Sequence, residues 1–274
     1  MPMTILGIGT AVPRHRISQG ESAAMAERIS GSSPERAALL ARIQRRSGVS
    51  VRHSVLLESA QHEADIHGRM PFYGESSPST GERIRRFEAH AEPLALEVAR
   101  RALADAGLAP ERITHLVTVC CTGFQSPGFD LALMNQLPLS PDVERTHVGF
   151  MGCHGALNGL RVARAFVEAD PAACVLLCAV ELCSLHMHYG WDPEKLVANA
   201  LFADGPRILA AVAAAAELDP SQIEPSAAVL RQFGNMSSPT ILFILERLRR
   251  AAAPRPWVAL AFGPGLTVEA SLLG

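Results

Sequence analysis

Apolar runs that alternate with helix-like segments restrict the fold of this chain more than any other feature of its sequence. Ile113–Cys121 and Cys174–Leu182 are predominantly apolar, and Thr146–Phe150 is a third strand-like run. Helical patterns at Phe129–Leu137 and Ala156–Glu168 separate these runs. Strands without polar alternation are typical of a parallel sheet whose two faces are both covered. The pattern therefore predicts a layered α/β fold.

The rest of the chain contains more helix than strand. We predict a strand at Thr4–Pro13 and a long helix at Gly81–Gly107 that is bent or broken at Pro93. The other predicted helices are Glu21–Ser30, Pro34–Ser47, Pro206–Leu218, Ser226–Phe233 and Ser238–Ala251, and the other predicted strands are Trp257–Phe262 and Thr267–Leu273. Two strands are too few to make a covered sheet by themselves, so the C-terminal third is short of strands.

Composition excludes several classes of function. The 274 residues carry a formal net charge of −2 and include 6 cysteines. Without a basic excess we expect no nucleic-acid partner, and no apolar window is long enough to predict a membrane span. The N-terminus lacks the pattern of a secretory signal, so reduced thiols and a cytoplasmic location are expected. The cysteines show no paired ligand spacing, and no metal site is predicted.

Cys153 is the residue whose surroundings point most directly to chemistry. The segment Val148–Leu157 runs from a strand-like stretch through small residues into a helical pattern. A thiol at a strand-to-helix corner lies near free backbone N–H groups, which favour the nucleophilic thiolate. The alternative is a buried structural cysteine, because free cysteines are commonly buried. The local sequence leaves both readings open.

Four separated motifs decide between them, because they occur in the order found in type III polyketide synthases, the chalcone- and stilbene-synthase-like enzymes. The motifs that carry the resemblance are Gly152–Gly155 (Gly-Cys-His-Gly), Phe202–Gly205 (Phe-Ala-Asp-Gly), Gly234–Ser238 (Gly-Asn-Met-Ser-Ser) and Phe262–Glu269 (Phe-Gly-Pro-Gly-Leu-Thr-Val-Glu). Thr118–Asp130 and Glu181–His186 are similar to the family as well. The resemblance covers nearly the whole chain.

The resemblance implies a thiolase-like layered α-β-α-β-α fold built from two related halves, here residues 1–205 and a truncated 206–274, assembled as a homodimer. It also implies transfer of an acyl group from acyl-CoA to the active-site cysteine and extension by decarboxylative condensation with malonyl-CoA. The product then cyclises to an aromatic or pyrone polyketide. Coenzyme A thioesters are substrates in this chemistry, and no bound cofactor is implied.

Two catalytic positions are implied by the match. Cys153 corresponds to the nucleophile and Asn235 to the amide of the catalytic triad. A neutral amide suits an oxygen that becomes negative during decarboxylation. An alternative role for Asn235 is a cap on the helix that follows it.

Substrate-binding positions are implied in the same way. Phe202 matches an aromatic gate between the coenzyme A tunnel and the cavity, and Cys183 and His186 match cavity-lining positions. Arg42 and Arg46 fall near basic positions that hold coenzyme A phosphates in the family, a contact for which guanidinium groups are suited. The alternatives are a core role for Phe202 and a solvated helix face for the two arginines.

One departure from the family is decisive for activity. The Phe-Ala-Asp-Gly motif runs straight into Pro206, which resembles the end of the family's later His-Pro-Gly-Gly-Pro motif. The resemblance therefore implies an internal deletion at Gly205–Pro206 that removes two strands and the catalytic His, and we predict negligible turnover because thiolate activation is lost. His154 adjoins the nucleophile, but a residue beside it at a helix start is expected to point elsewhere. The alternatives are a catalytically dead partner subunit of an intact synthase and a ketoacyl-synthase-type condensing enzyme.

Overall fold

A computed structural model describes residues 3–31, 33–36, 38–39, 42, 47–60, 63–192, 199, 205–263, 265 and 267–274. In these ranges the strands are β1 (Arg16–Ser18), β2 (Val51–His53), β3 (His115–Cys120), β4 (Glu144–Gly149), β5 (Val175–Ala179), β6 (Trp257–Gly263) and β7 (Thr267–Leu273). The helices are α1 (Gln19–Ser30), α2 (Ile66–Arg69), α3 (Thr80–Ala106), α4 (Phe129–Gln136), α5 (Gly155–Ala169), α6 (Gly205–Ala215), α7 (Pro220–Phe233) and α8 (Thr240–Arg250). Short 3₁₀ turns occur at Pro110–Arg112, Gly152–His154 and Cys183–His186.

The chain divides into two compact units. Unit 1 consists of Met1–Ala11, Ile84–Glu181 and Ser237–Gly274, and unit 2 consists of Val12–Arg83 and Leu182–Met236. The halves implied by the resemblance, 1–205 and 206–274, divide the sequence differently and stay a prediction.

Unit 1 is built on a parallel sheet in the order β4-β3-β5. The central strand β3 is buried along its whole length, as its apolar sequence predicts. Helix α5 packs against all three strands. A Cβ atom at Gly155 would lie 2.9 Å from Val119 Cγ1, and one at Gly159 would lie 2.8 Å from Leu177 Cδ1. The two glycines therefore let α5 lie unusually close to the sheet.

The other side of α5 packs on a second, two-stranded sheet. Strands β6 and β7 form an antiparallel pair, and α5 contacts β7 and α8. Ala156 and Leu157 of α5 share a buried apolar cluster with Ile241, Ala259 and residues beside them. Unit 1 thus contains a sheet, a helix layer and a second sheet, stacked in that order as in a layered α/β fold.

Helix α3 lies on the parallel sheet as well, since the Cys178 thiol of β5 points to the Ala95 carbonyl oxygen at 4.0 Å. The predicted break at Pro93 does not occur, because α3 continues through that residue. The other predicted helices and strands from residue 113 onward are confirmed to within a few residues of their ends, the helix predicted at Ser226–Phe233 beginning earlier, at Pro220.

The predicted strand at Thr4–Pro13 is wrong. Among the described residues from Met3 onward, this segment makes no strand pairing. Its backbone is bound by side chains instead: Ile8 N–H donates to Asp105 Oδ2 at 2.9 Å, and Arg249 Nη2 donates to the Leu6 carbonyl oxygen at 2.8 Å. Because these groups satisfy the backbone without a neighbouring strand, an apolar pattern alone could not fix the pairing.

Unit 2 contains the antiparallel pair β1-β2 and helices α1, α2, α6 and α7. Helix α1 begins at a capping box in which Ser18 accepts from the Glu21 N–H and Glu21 accepts from the Ser18 N–H. The fully buried Arg69 pairs with Glu21 and donates to the Arg16 carbonyl oxygen at 2.7 Å. The helix predicted at Pro34–Ser47 is helical at residues 34–36, 38, 39 and 42, its predicted last residue Ser47 lies in a turn instead, and positions 37, 40, 41 and 43–46 lie outside the described residues. No helix in the described ranges combines the length and the apolar character that crossing a membrane needs.

Candidate active site

The Cys153 turn lies where strand β4 passes into helix α5. Phe150 adopts a left-handed φ of 58° and Gly152 a φ of 78°, and the chain then forms the 3₁₀ turn Gly152–His154. Phe150 N–H donates to the Cys120 carbonyl oxygen at 3.2 Å, which fixes the turn to the end of β3. Cys153 is half-buried at the N-terminal end of α5. The predicted strand-to-helix corner is confirmed, and the reading of Cys153 as a sealed core residue loses its support.

A second thiol lies against the same turn. Gly152 N–H donates to Cys121 Sγ at 2.9 Å, and the Cys121 thiol donates to the Gly152 carbonyl oxygen at 3.6 Å. Burial, followed by the charge of Glu181, raises the pKa of Cys121 to about 11. Cys121 therefore remains a neutral thiol near neutral pH, which distinguishes it from a nucleophile.

Glu181, two residues after β5, links the end of this strand to the end of β3. Its carboxylate accepts from the Cys121 and Thr122 N–H groups, each at 3.0 Å, and from the Thr122 hydroxyl at 2.6 Å. Ser238, immediately before α8, adds a fourth donor at 2.9 Å. Burial raises the pKa of Glu181, and these hydrogen bonds oppose the rise. Glu181 thus joins two strands to the Gly234–Ser238 motif.

Ser237, which precedes Ser238 in unit 1, contacts the Cys153 sulfur. Its hydroxyl donates to Cys153 Sγ at 3.4 Å, and its side chain is 5% exposed. The residue has a φ of 62°, a left-handed conformation that is uncommon outside glycine. A polar donor is therefore aimed at the sulfur by a backbone conformation that only its surroundings maintain.

His154 points away from the thiol into the protein. Its Nδ1 donates to Asn158 Oδ1 at 2.6 Å, and Asn158 Nδ2 donates to Glu269 Oε1 at 3.1 Å. Arg161 pairs with the same carboxylate. A Cβ at Gly263 would lie 2.1 Å from the His154 ring, so the Phe262–Glu269 motif rests on this imidazole. The sequence-based expectation that the His154 side chain points away from the thiol agrees with this orientation.

The cavity-lining candidates Cys183 and His186 lie in unit 2, on the 3₁₀ turn Cys183–His186, and both are half-buried. The turn is held by Tyr73, whose hydroxyl donates to the Ser184 carbonyl oxygen at 2.6 Å, and by Arg83, which donates to the Leu185 carbonyl oxygen. A turn fixed by the buried Tyr73 and the half-buried Arg83 can present its other side chains in defined positions.

Asn235 also lies in unit 2, half-buried after the end of α7. Gly234 before it has a φ of 72°, and a Cβ there would lie 2.5 Å from Arg52 Nη1. Burial lowers the pKa of Arg52 to about 10, and the nearby Cys183 opposes the change. The Arg52 guanidinium thus packs beside both Gly234 and Cys183, a link that the sequence reasoning missed.

The structure gives less information on the remaining candidates, Arg42, Arg46 and Phe202. Arg42 is exposed on its helix, which fits both a phosphate contact and the solvated alternative. Phe202 and Arg46 lie outside the described residues. In the parts of the chain that are described, no group of three or more His, Cys, Asp or Glu side chains is arranged to hold a metal ion.

Sequence reasoning gave no role to Glu181, Ser237 or Ser238, although all three lie inside the motifs that it quoted. A carboxylate at the end of an apolar strand was the available signal for Glu181, because such a group needs several donors. No local signal shows that Ser237 reaches Cys153, since 84 positions separate them in the chain.

Comparison with known proteins identifies the family of this chain. Residues 1–217 match the model of the chalcone and stilbene synthase N-terminal domain, and residues 192–274 match that of the C-terminal domain. The chain is 32% identical over 229 residues to an alpha-pyrone synthesis polyketide synthase-like protein, Pks18, of Mycobacterium tuberculosis, which covers 83% of this chain and 55% of that protein. It thus spans about half the length of that relative.

Longer alignments extend over the whole chain. Type III polyketide synthase C of Arabidopsis thaliana is 25% identical over 370 aligned positions, which cover 98% of this chain and 94% of that protein. The type III polyketide synthase domain of Steely1 from Dictyostelium has a TM-score of 0.86 at 22% identity, covering 99% of each chain. The fold is therefore the thiolase-like α/β fold of these structures. This chain belongs to the chalcone and stilbene synthase family.

Proposed function

We propose that this chain is a type III polyketide synthase-like acyltransferase that accepts an acyl group from acyl-CoA on Cys153. The observation that carries the proposal is the half-buried Cys153 thiol at the start of α5, with the Ser237 hydroxyl donating to its sulfur. In this step the sulfur attacks the thioester carbonyl, the carbon–sulfur bond to coenzyme A breaks, and free coenzyme A leaves with a proton.

Extension would use malonyl-CoA. Loss of CO2 from the malonyl group produces an enolate, which attacks the Cys153 thioester and lengthens the chain by two carbons. The Asn235 amide is assigned the role of hydrogen-bond donor to the oxygen that becomes negative in that step. Cyclisation to a pyrone or aromatic ring is proposed by similarity, and the name of the mycobacterial relative supports the pyrone. Coenzyme A thioesters serve as substrates, and no bound cofactor is proposed.

The substrate would be bound by residues from several segments. Cys183 and His186, on the 3₁₀ turn that Tyr73 and Arg83 hold, are assigned to the lining of the cavity that receives the growing chain. Phe202 is assigned to the entrance of that cavity, and Arg42 and Arg46 to the phosphates of coenzyme A, where a guanidinium is a suitable partner.

We further propose that an internal deletion at Gly205–Pro206 has removed the family's catalytic His. The 370 positions of the Arabidopsis alignment exceed the 274 residues of this chain, so that alignment contains gaps on the side of this chain. Loss of one oxyanion donor typically costs about 100- to 1,000-fold in rate. Turnover is therefore proposed to be negligible, and acylation of Cys153 is the one step that is proposed to survive.

We also propose that the chain forms a homodimer and is cytoplasmic. Phe124 and Phe150, both in unit 1, are 57% and 72% exposed. Exposed aromatic side chains are enriched at protein interfaces, so a second copy is proposed to cover them. All six cysteines are free thiols, which fits a reducing compartment.

The acylation step is tested by intact-protein mass spectrometry after incubation with an acyl-CoA, followed by peptide mapping. One acyl group is expected on the Cys153 peptide, and none in Cys153→Ala, whereas Cys183→Ala should still be acylated. Acylation elsewhere, or none at all, contradicts the proposed function. CO2 release from malonyl-CoA at the rate of a full-length relative contradicts the loss of the His.

The exposed phenylalanines also favour a second candidate, a non-catalytic subunit that pairs with an intact synthase. This candidate predicts co-purification with a full-length relative, and no loss of activity of the pair after Cys153→Ala. If the pair loses activity with that substitution, the non-catalytic role is wrong.

A further inference from the structure

A hydroxyl donor is aimed at the sulfur of Cys153 from outside the helix that carries the thiol. Ser237 Oγ lies 3.4 Å from Cys153 Sγ, and Ser237 is almost completely buried. A half-buried thiolate loses part of its hydration and needs donors from the protein. The N–H groups at the start of α5 can supply part of this stabilisation.

We propose that the Ser237 hydroxyl stabilises the thiolate form of Cys153 and so sets the reactivity of this sulfur. The inference rests on the proposed function in one respect, that Cys153 is the nucleophile. It concerns a residue to which the family resemblance gave no role in this chain. A hydrogen bond to the charged form of an acid favours that form, which is the physical basis of the assignment.

Ser237 is held in place by its neighbours. Its left-handed φ of 62° is one that a non-glycine residue adopts only when its surroundings enforce it. Ser238, which is fully buried, donates to Glu181 Oε1 at 2.9 Å, and Thr240 N–H donates to the Ser237 carbonyl oxygen at 3.1 Å. Glu181 therefore positions Ser237 through Ser238, and the Ser237 hydroxyl makes the contact with the sulfur.

Three other titratable groups of unit 1 lie around the thiol. Cys121 interacts electrostatically with Cys153, but its raised pKa keeps it neutral near pH 7. Glu181 is turned towards Cys121, Thr122 and Ser238 by its hydrogen bonds. The His154 ring is bound to Asn158. Cys121, Glu181 and His154 are thus hydrogen-bonded to other groups, whereas the Ser237 hydroxyl donates to the sulfur.

The experiment measures the alkylation rate of Cys153 by iodoacetamide between pH 6 and 10, read from the Cys153 peptide by mass spectrometry. The variants are Ser237→Ala and Ser237→Gly. Both remove the hydroxyl, but alanine keeps the left-handed strain whereas glycine relieves it. Ser140→Ala, a serine outside the site, is the matched control.

Both Ser237 variants are expected to move the midpoint of the rate profile upward by about one pH unit, so that alkylation at pH 7 slows about tenfold. At high pH, where the thiol is ionised in every protein, the rates should converge. An unchanged midpoint, or a rate that falls equally at every pH, overturns the proposal, because it shows a purely structural role. The assay uses no coenzyme A thioester, so a failure of acyl transfer would not be confused with a failure of this inference.

Discussion

Replacing Glu181 with alanine removes the acceptor that the ends of β3 and β5 share. The Cys121 and Thr122 N–H groups, at 3.0 Å from the carboxylate, would lose their acceptor and cannot reorient. The Thr122 and Ser238 hydroxyls can rotate towards water or backbone, so they lose less. Glu181→Ala therefore tests whether this carboxylate organises the site.

The expected cost follows from those donors. A buried donor without a partner costs about 1–3 kcal/mol, and the two N–H groups together therefore predict a loss of about 2–6 kcal/mol in the free energy of unfolding. Glu181→Gln keeps one carbonyl oxygen as an acceptor, so a smaller loss of about 1–2 kcal/mol is expected.

Urea denaturation of both variants and of the parent chain at one pH measures these differences. Glu97→Gln is the matched control, because Glu97 pairs with Arg101 on an exposed helix surface where such pairs contribute little. If Glu181→Ala unfolds within 0.5 kcal/mol of the parent chain, with a similar urea slope, the reasoning about unpaired donors is wrong.

The same carboxylate predicts a pH dependence. Burial raises the pKa of Glu181 above its ordinary value of 4.5, so the folded chain binds this proton more tightly than the unfolded chain does. The stabilising contribution is therefore fully present below pH 4.5 and is lost as the pH rises through the folded-state pKa. Glu181→Gln lacks the titration, and the stability advantage of the parent chain over this variant should shrink as the pH rises. An advantage that grows instead would refute the direction of the shift.

Three further outcomes are expected. Burial raises the pKa of Cys178 to about 12, so this thiol should resist iodoacetamide at pH 8 in the folded chain and react after denaturation, as peptide mapping would show. Gly263→Ala would put a Cβ 2.1 Å from the His154 ring, and urea denaturation should show a loss of about 1–3 kcal/mol. The control for Gly263→Ala is Gly20→Ala, in open space on α1, which should gain about 0.5–1 kcal/mol. Ser18→Ala removes the cap of α1 and should cost about 1 kcal/mol, again by urea denaturation, with no loss indicating that the cap is dispensable.

The predictions that succeeded depend on short stretches of sequence. Strands β3 and β5 and helices α4 and α5 follow from periodicity within ten or fifteen residues, and the turn at Cys153 follows from small residues between two such patterns. The failed strand at Thr4–Pro13 is also an apolar run, but strand formation needs a partner strand. Side chains such as Asp105 bind its backbone instead, and no local pattern reports them.

The candidate site shows the same difference between local sequence patterns, which can be predicted, and contacts between distant residues, which cannot. Cys153, Asn235, Cys183 and His186 were predicted as site residues from the motifs that contain them, and their roles stay predictions. The functions of Glu181 and Ser237 were not found, because each acts on residues 57 or more positions away in the chain.

The sequence alone determined the alternation of strands and helices, the corner that carries the thiol and the order of motifs that identifies the family, because each of these is written in neighbouring residues. Only the tertiary structure decided which donors surround Cys153 and Glu181 and how His154 is turned. Those contacts depend on the packing of α5, α8 and the parallel sheet of unit 1, and packing joins residues that the chain keeps far apart.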